Sequence, residues 1–192
     1  DSLVGLWREQ IACFNWEKDE QLPLLRALIN QRVKEAQTLR EEIQGLAPSD
    51  DFVGKERLWH DAMEALAEVR LVGDLGVCAF FERDKAKERQ TLRAVYAGRV
   101  EAWLSDGDPS ELVSIADQLR EGPHSIPAFH WEIEFPEVFT RRSPGFDAFV
   151  GNPPFFWGNR ISTVFGGPYR DWLLLQDGAA GNADLVVYFF RR

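Results

Sequence analysis

Gly145-Phe146-Asp147-Ala148-Phe149-Val150-Gly151-Asn152-Pro153-Pro154-Phe155 is the stretch on which the reading of this chain turns. Phe146 to Val150 predicts a short buried strand. It runs directly into Gly151-Asn152-Pro153-Pro154, which can neither prolong a strand nor enter a helix interior. A buried strand ending in a stiff polar loop is the geometry of an α/β active site, because ligands of open α/β sheets bind at the carboxyl ends of strands. The two prolines fix the backbone and remove two N–H donors. The carbonyls of Asn152 and Pro153 then have fewer local partners and can face a ligand as acceptors. The Asn152 side-chain oxygen adds to them, and Phe155 or Phe156 supplies a π-face. Such a site suits a planar group with an exocyclic amine, which donates two hydrogen bonds while its ring stacks.

The chemistry of such a group follows. An adenine N6 lone pair is delocalised into the ring and is a poor nucleophile. Two acceptors on its hydrogens draw it toward tetrahedral geometry, and a sulfonium methyl group held in line can then be attacked directly. Catalysis of this kind is positioning and electrostatics, so no His or Cys nucleophile is required. An Asn-Pro-Pro-aromatic string arises by chance in on the order of one in a thousand chains of this length. The plain alternative is a Pro-rich turn between a strand and a helix, and the apolar run before the loop counts against it.

Upstream, His130-Trp131-Glu132-Ile133-Glu134-Phe135 alternates as a strand does, after a change of character at Gly122-Pro123. The sequence before that reads as helix. From Pro23 to Leu46, apolar residues recur at intervals of three and four, from Leu25 through Ile29, Val33 and Ala36 to Ile43, which defines one helical face. Pro23 suits the first turn, and Gly45 with Pro48 marks the stop. A second run follows Asp50-Asp51, which can cap it. It carries Leu58, Trp59, Ala62, Met63, Leu66 and Val69 on one face and extends toward Phe81, with Gly73–Gly76 as the place to look for a break. A third covers Asp84 to Leu104, and a fourth starts at Ser110 after Pro109 and ends at Gly122. The charged run Arg83–Arg89 reads as solvated helix surface; its interleaved acids argue against a DNA-facing patch. Downstream, Tyr169 to Gln176 and Asn182 to Arg192 predict helices, the last with Asn182 as its cap.

Composition bounds these readings. The 192 residues are 45% hydrophobic and 28% charged, in the globular range. The net charge of -9 argues against a self-contained nucleic-acid-binding module, though not against a larger protein with its basic surface elsewhere. Two Cys, Cys13 and Cys78, make neither a disulfide framework nor a zinc set, so a reducing, cytoplasmic compartment is the default. His60, His124 and His130 are scattered without metal-ligand spacing, and no metal is expected. No signal peptide and no membrane-spanning apolar run is present. Met63 is the only Met and the chain finishes on the apolar run Asp184–Arg192, which suggests that both ends are internal to a longer protein.

The residues from His130 through Pro136-Glu137-Val138-Phe139, followed by Gly145–Phe155, resemble the motif IV region of amino-methyltransferases. The likeness is closest to the large DNA N6-adenine methyltransferases of fused restriction–modification enzymes and related phage-defence systems. Asn182–Phe190 looks like the helix those proteins place after the catalytic loop. Asp1-Ser2-Leu3-Val4-Gly5 resembles the tail of their motif III, where an acidic residue ends a strand and reaches the cofactor adenine. The resemblance implies that Asn152 accepts from the target amine, that Pro153 offers its carbonyl within the Pro153-Pro154 pair, and that Phe155 stacks on the flipped base. It implies S-adenosylmethionine as cofactor, with Asp1 in its pocket, and DNA as partner. Phe at the last motif position, in place of Tyr, keeps the π-face.

The expected architecture is therefore mainly α. It has a motif III tail and entry segment over 1–22 and a helical insertion bundle over 23–122. A partial Rossmann-like α/β methyltransferase segment over 123–192 carries the loop. No glycine-rich motif I and no acidic ribose-binding position occur, so this chain by itself is expected to bind the cofactor weakly or not at all and to be inactive. A sheet lacking its neighbouring strands would expose apolar edges near Phe146–Phe156, where self-association or local disorder is expected. Two rivals stand beside this reading: a methyltransferase acting on an RNA base or a protein glutamine amide, and a non-catalytic helical interaction module.

Overall fold

The computed structural model describes residues 1–17, 21–46, 52–121, 125–175 and 181–192. Among them the chain forms eleven α-helical segments, one 3₁₀ turn and no strand. The expectation of a mainly α chain agrees with this; a Rossmann-like sheet is not seen. The predicted Asp50-Asp51 cap, the stop at Pro48, the Gly122-Pro123 boundary and the end at Gln176 lie outside the described residues.

After the short α1 (Arg8–Ala12), α2 spans Pro23–Gly45 with Pro in its first turn. It buries Leu25, Ile29, Val33 and Ala36, the stripe read from the sequence. Next come α3 (Phe52–Ala65) and α4 (Ala67–Phe81), interrupted only at Leu66. The break is thus not at Gly73–Gly76, where α4 runs straight through. Those glycines are points of close approach: a Cβ on Gly73 would lie 2.6 Å from His130 Nε2, and one on Gly76 2.7 Å from Leu6 Cδ1. Every residue of α4 from Val72 to Phe80 is buried. It is the central helix, with α5 (Ala86–Asp106) and α6 (Ser110–Glu121) packed on it and α2 lying along α3.

The segment Asp1–Leu6 opens with a turn in which Val4 N–H donates to Asp1 O, and it is buried from Leu3 onward beside residues 127–131. Phe129 N–H donates to Val4 O at 2.8 Å, and the indoles of Trp131 and Trp172 donate to the carbonyls of Ser2 and Leu3. Leu6 N–H donates to His130 Nδ1 at 2.9 Å, which places the ring proton on Nε2, 3.2 Å from Asp74 Oδ1. Asp74 in turn takes Arg120 at 2.7 Å. Both nitrogens of the fully buried His130 are engaged, so it serves packing rather than acid–base chemistry.

Two strand predictions are overturned. His130–Phe135 folds as α7 (Trp131–Glu134), followed by α8 (Pro136–Phe139). Ile133 and Glu134 N–H both donate to His130 O. The residues buried are His130, Ile133 and Pro136, a spacing of three that six alternating residues do not reveal. Phe146–Val150 is neither strand nor buried: Phe149 is 74% and Val150 102% exposed. A strand requires a ladder partner, and here the backbone is turned by Arg141, which donates to Ser143 O and Gly145 O and pairs with Asp147 at 3.0 Å. Phe146 packs into an aromatic cluster with Trp131, Phe135 and Phe139 instead.

The final part holds a 3₁₀ turn (Gly158–Arg160), α9 (Ile161–Phe165), α10 (Gly167–Leu174) and α11 (Leu185–Phe189). The cap of α11 is Asp184, not Asn182. Gly166, at φ 91°, turns the chain between α9 and α10, and Gly167 and Pro168 open α10. One continuous cluster of buried residues runs from Leu3 through α2, α4 and α6 to Tyr188.

Charged side chains tie the early helices to the later segment, and the sequence did not show this. Arg70 on α4 makes a two-pronged pair with Glu134 at 2.6 and 2.9 Å. Arg40 on α2 is buried, donating to Glu134 O and pairing with Glu137 at 2.9 Å. Arg89 departs from the solvated face predicted for Arg83–Arg89. It is buried over the Phe80 ring at 4.0 Å and pairs with Asp171 on α10 at 2.9 Å.

Candidate active site

Asn152, Pro154 and Phe155 are exposed and Pro153 is half-buried, in a stretch without regular structure. Phe155 is 80% exposed and Trp157 68%. The two prolines and the lack of a ladder on the upstream side leave the loop to be held from downstream. There, Phe156 O accepts the first N–H of α11, from Leu185, at 2.9 Å, and Gly158 N–H donates to Asp184 Oδ1 at 3.1 Å. Just upstream of them Asn152, Pro154 and Phe155 are exposed.

A line of contacts leads from this loop to Asp1. The Phe156 ring meets Phe165 edge-on at 5.4 Å between centroids. Phe165 stacks on Tyr169 at 5.1 Å, and the Tyr169 hydroxyl donates to Asp1 Oδ2 at 2.9 Å. Asp1 Oδ1 accepts Leu3 N–H at 2.9 Å. Burial pushes the Tyr169 hydroxyl up to about 12, so it remains a neutral donor to the carboxylate at ordinary pH.

Asp1, Phe165 and Tyr169 form one side of a cavity of about 990 Å³. The end of α4 (Phe81, Glu82) and α6 (Ile115, Gln118, Leu119) form the other. Its walls combine carboxylates with apolar and aromatic faces. The Asn152–Phe155 loop does not line it; Phe156 and Phe165 connect the two. Cys78 also lines the cavity and is buried, its thiol pushed far up by that burial. Cys13 is buried as well, its thiol donating to Glu9 O at 3.2 Å. Among the described residues no group of three or more His, Cys, Asp or Glu side chains could hold a metal ion. No helix among them is long and apolar enough to cross a membrane.

Residues 71–192 match the family model described as Eco57I restriction-modification methylase. The chain belongs to this family. The Eco57I match begins inside α4, so it takes in α5 and α6 as well as the Asn152–Phe155 loop and α11. Comparison with curated proteins and with solved structures finds no match. Membership of the Eco57I methylases makes a restriction–modification methyltransferase the established context for the site.

Asn152–Phe155 and Asp1 are the site residues expected from the sequence, and the residues that connect them in the fold were not expected. Phe165 and Tyr169 were plain apolar positions of a helix and its turn, and their pairing needs the Gly166 reversal. Gly158 and Asp184 lie 26 residues apart, and no local pattern links them.

Proposed function

We propose that this chain is part of the catalytic domain of a DNA methyltransferase that transfers a methyl group from S-adenosylmethionine to adenine N6, with residues 123–192 supplying the base-binding loop and residues 23–122 a helical insertion. The observation that carries the reading is the exposed Asn152–Phe155 loop, joined through Phe156, Phe165 and Tyr169 to the Asp1 cavity in a restriction–modification methylase.

The residues present suit the adenosine half of the cofactor. An exocyclic amine needs an acceptor such as the Asp1 carboxylate, and a purine needs apolar walls such as Phe81, Ile126 and Phe165. When bound, S-adenosylmethionine supplies an electrophilic methyl on a sulfonium. The Asn152 side-chain oxygen and the Pro153 carbonyl accept the two amine hydrogens of the target base, and Phe155 stacks on its ring. Accepting both hydrogens localises the nitrogen lone pair, and the loop's stiffness holds it in line. Extracting the base from a duplex costs roughly a few kcal/mol, and stacking on an aromatic face returns about 1–3 kcal/mol.

The test offers full-length protein three acceptors with labelled S-adenosylmethionine: unmethylated duplex DNA, structured RNA, and a glutamine-bearing polypeptide. Label transferred to DNA is the expected outcome. Label in RNA or polypeptide alone would replace the substrate class. Cofactor binding without any transfer would favour an interaction module.

A further inference from the structure

We infer that Asp184 is the positioning residue of the Asn152–Phe155 loop, an inference that rests on the reading of that loop as the base-binding element. Three features meet at one place. Asp184 Oδ1 accepts Gly158 N–H at 3.1 Å. The adjoining Leu185 N–H donates to Phe156 O at 2.9 Å. Gly158 lies so close to the backbone of 182–183 that a Cβ there would stand 2.5 Å from Asn182 O and 2.4 Å from Ala183 O. The chain just after the motif is thus clamped by two hydrogen bonds and a backbone contact that tolerates only glycine.

Asp184 stands at the N-cap of α11 yet its carboxylate caps no N–H of that helix. An N-cap aspartate ordinarily spends its oxygens on its own first turn. Here one is committed across 26 residues to the loop. Upstream of the motif Val150 stands in solvent and Phe149, though 74% exposed, meets the Trp131 and Phe146 rings edge-on, a packing contact without a backbone hydrogen bond. The Phe156–Phe165 contact adds a packing surface but no direction to the backbone. The direction in which Asn152–Phe155 presents its acceptors is therefore set at Gly158 and Asp184. Asp184 touches no reacting atom; it acts through Gly158.

The test compares Asp184→Ala, Asp184→Asn and Gly158→Ala with wild type in the full-length protein. One readout is hydrogen exchange of a peptide covering 152–160, the other steady-state methylation of duplex DNA. Asp184→Ala should speed exchange of that peptide and lower kcat about ten- to a hundredfold, the scale of a misplaced reacting group, with KM for S-adenosylmethionine within about twofold. Asp184→Asn keeps a side-chain oxygen acceptor and should restore both. Gly158→Ala should behave as Asp184→Ala. Unchanged exchange and rate in Asp184→Ala would overturn the inference, as would equal loss of rate in Asp184→Asn, which would mean that the charge matters and not the acceptor. If wild type methylates no DNA while exchange still follows the Ala and Asn pattern, the clamp stands and the function proposed for the loop falls.

Discussion

Tyr169 and Gly73 show how much a single residue carries here. Tyr169 joins the Asp1 carboxylate to the Phe165 stack, so Tyr169→Phe removes one hydrogen bond and keeps the ring. We expect KM for S-adenosylmethionine in the full-length protein to rise several-fold, about 1 kcal/mol of lost interaction, with kcat within about threefold. Steady-state kinetics with duplex DNA held saturating checks this, and a fall in kcat at constant KM would place Tyr169 elsewhere in the cycle. Gly73 offers a test of sign. In an open helix, replacing Gly by Ala stabilises by about 1 kcal/mol. Here the new Cβ would meet His130 Nε2 at 2.6 Å, in a network closed by Asp74 and Leu6. Gly73→Ala should therefore destabilise by about 1–3 kcal/mol, measured by denaturant unfolding. Nothing in the sequence separates this glycine from a helix breaker, because the difference lies in a histidine 57 positions away that packs on it.

At the scale of elements, helices with a long one-sided stripe were legible and short segments were not. The stripe Leu25–Ile29–Val33–Ala36 is buried as its spacing foretold, since eight or more residues in step admit one period. His130–Phe135 and Phe146–Val150 were misread because six or five residues fit either period. Whether a short apolar run becomes a strand is decided by a partner far along the chain. The charged ties between elements were equally invisible: Arg40, Arg70 and Arg89 look like surface until Glu134, Glu137 and Asp171 are brought to them. Arg70 and Glu134, both largely shielded from solvent, join the central helix α4 to α7. A double-mutant cycle with Arg70→Met and Glu134→Gln should give a coupling energy above about 1 kcal/mol in unfolding experiments; additivity would show the pair to be geometrically present but energetically idle.

For the whole molecule, a single core from Leu3 to Tyr188 predicts one cooperative transition, and its alkaline limit follows from the phenols. Burial raises Tyr169, Tyr96 and Tyr188, and in Tyr96 the hydrogen bond to Glu82 adds to it. Phenols of an unfolded chain ionise near pH 10. Above that pH the unfolded state holds fewer protons than the folded one, so stability falls as pH rises. Arg192, whose guanidinium burial lowers to about 10, acts in the opposite direction over the same range, while the Cys78 thiol, raised by burial, acts with the phenols. We expect the denaturant midpoint to decline between about pH 9 and pH 11, with phenolate absorbance appearing with unfolding and not before it. The exposed ledge of Phe149, Val150, Phe155 and Trp157 is the surface on which self-association of the 192-residue chain should be sought, by sedimentation at rising concentration. The Asn152–Phe155 motif could be proposed from the sequence because it is a local string, and Asp1 by resemblance; the cavity and the clamp could not, because they are made by folding. The most direct measurement is on full-length protein incubated with S-adenosylmethionine and unmethylated duplex DNA, the DNA then being digested and N6-methyladenine quantified by mass spectrometry, with Asn152→Ala in parallel. N6-methyladenine from wild type and none from the variant is the predicted result; equal N6-methyladenine from both, or none from a wild type that binds the cofactor, would contradict the account.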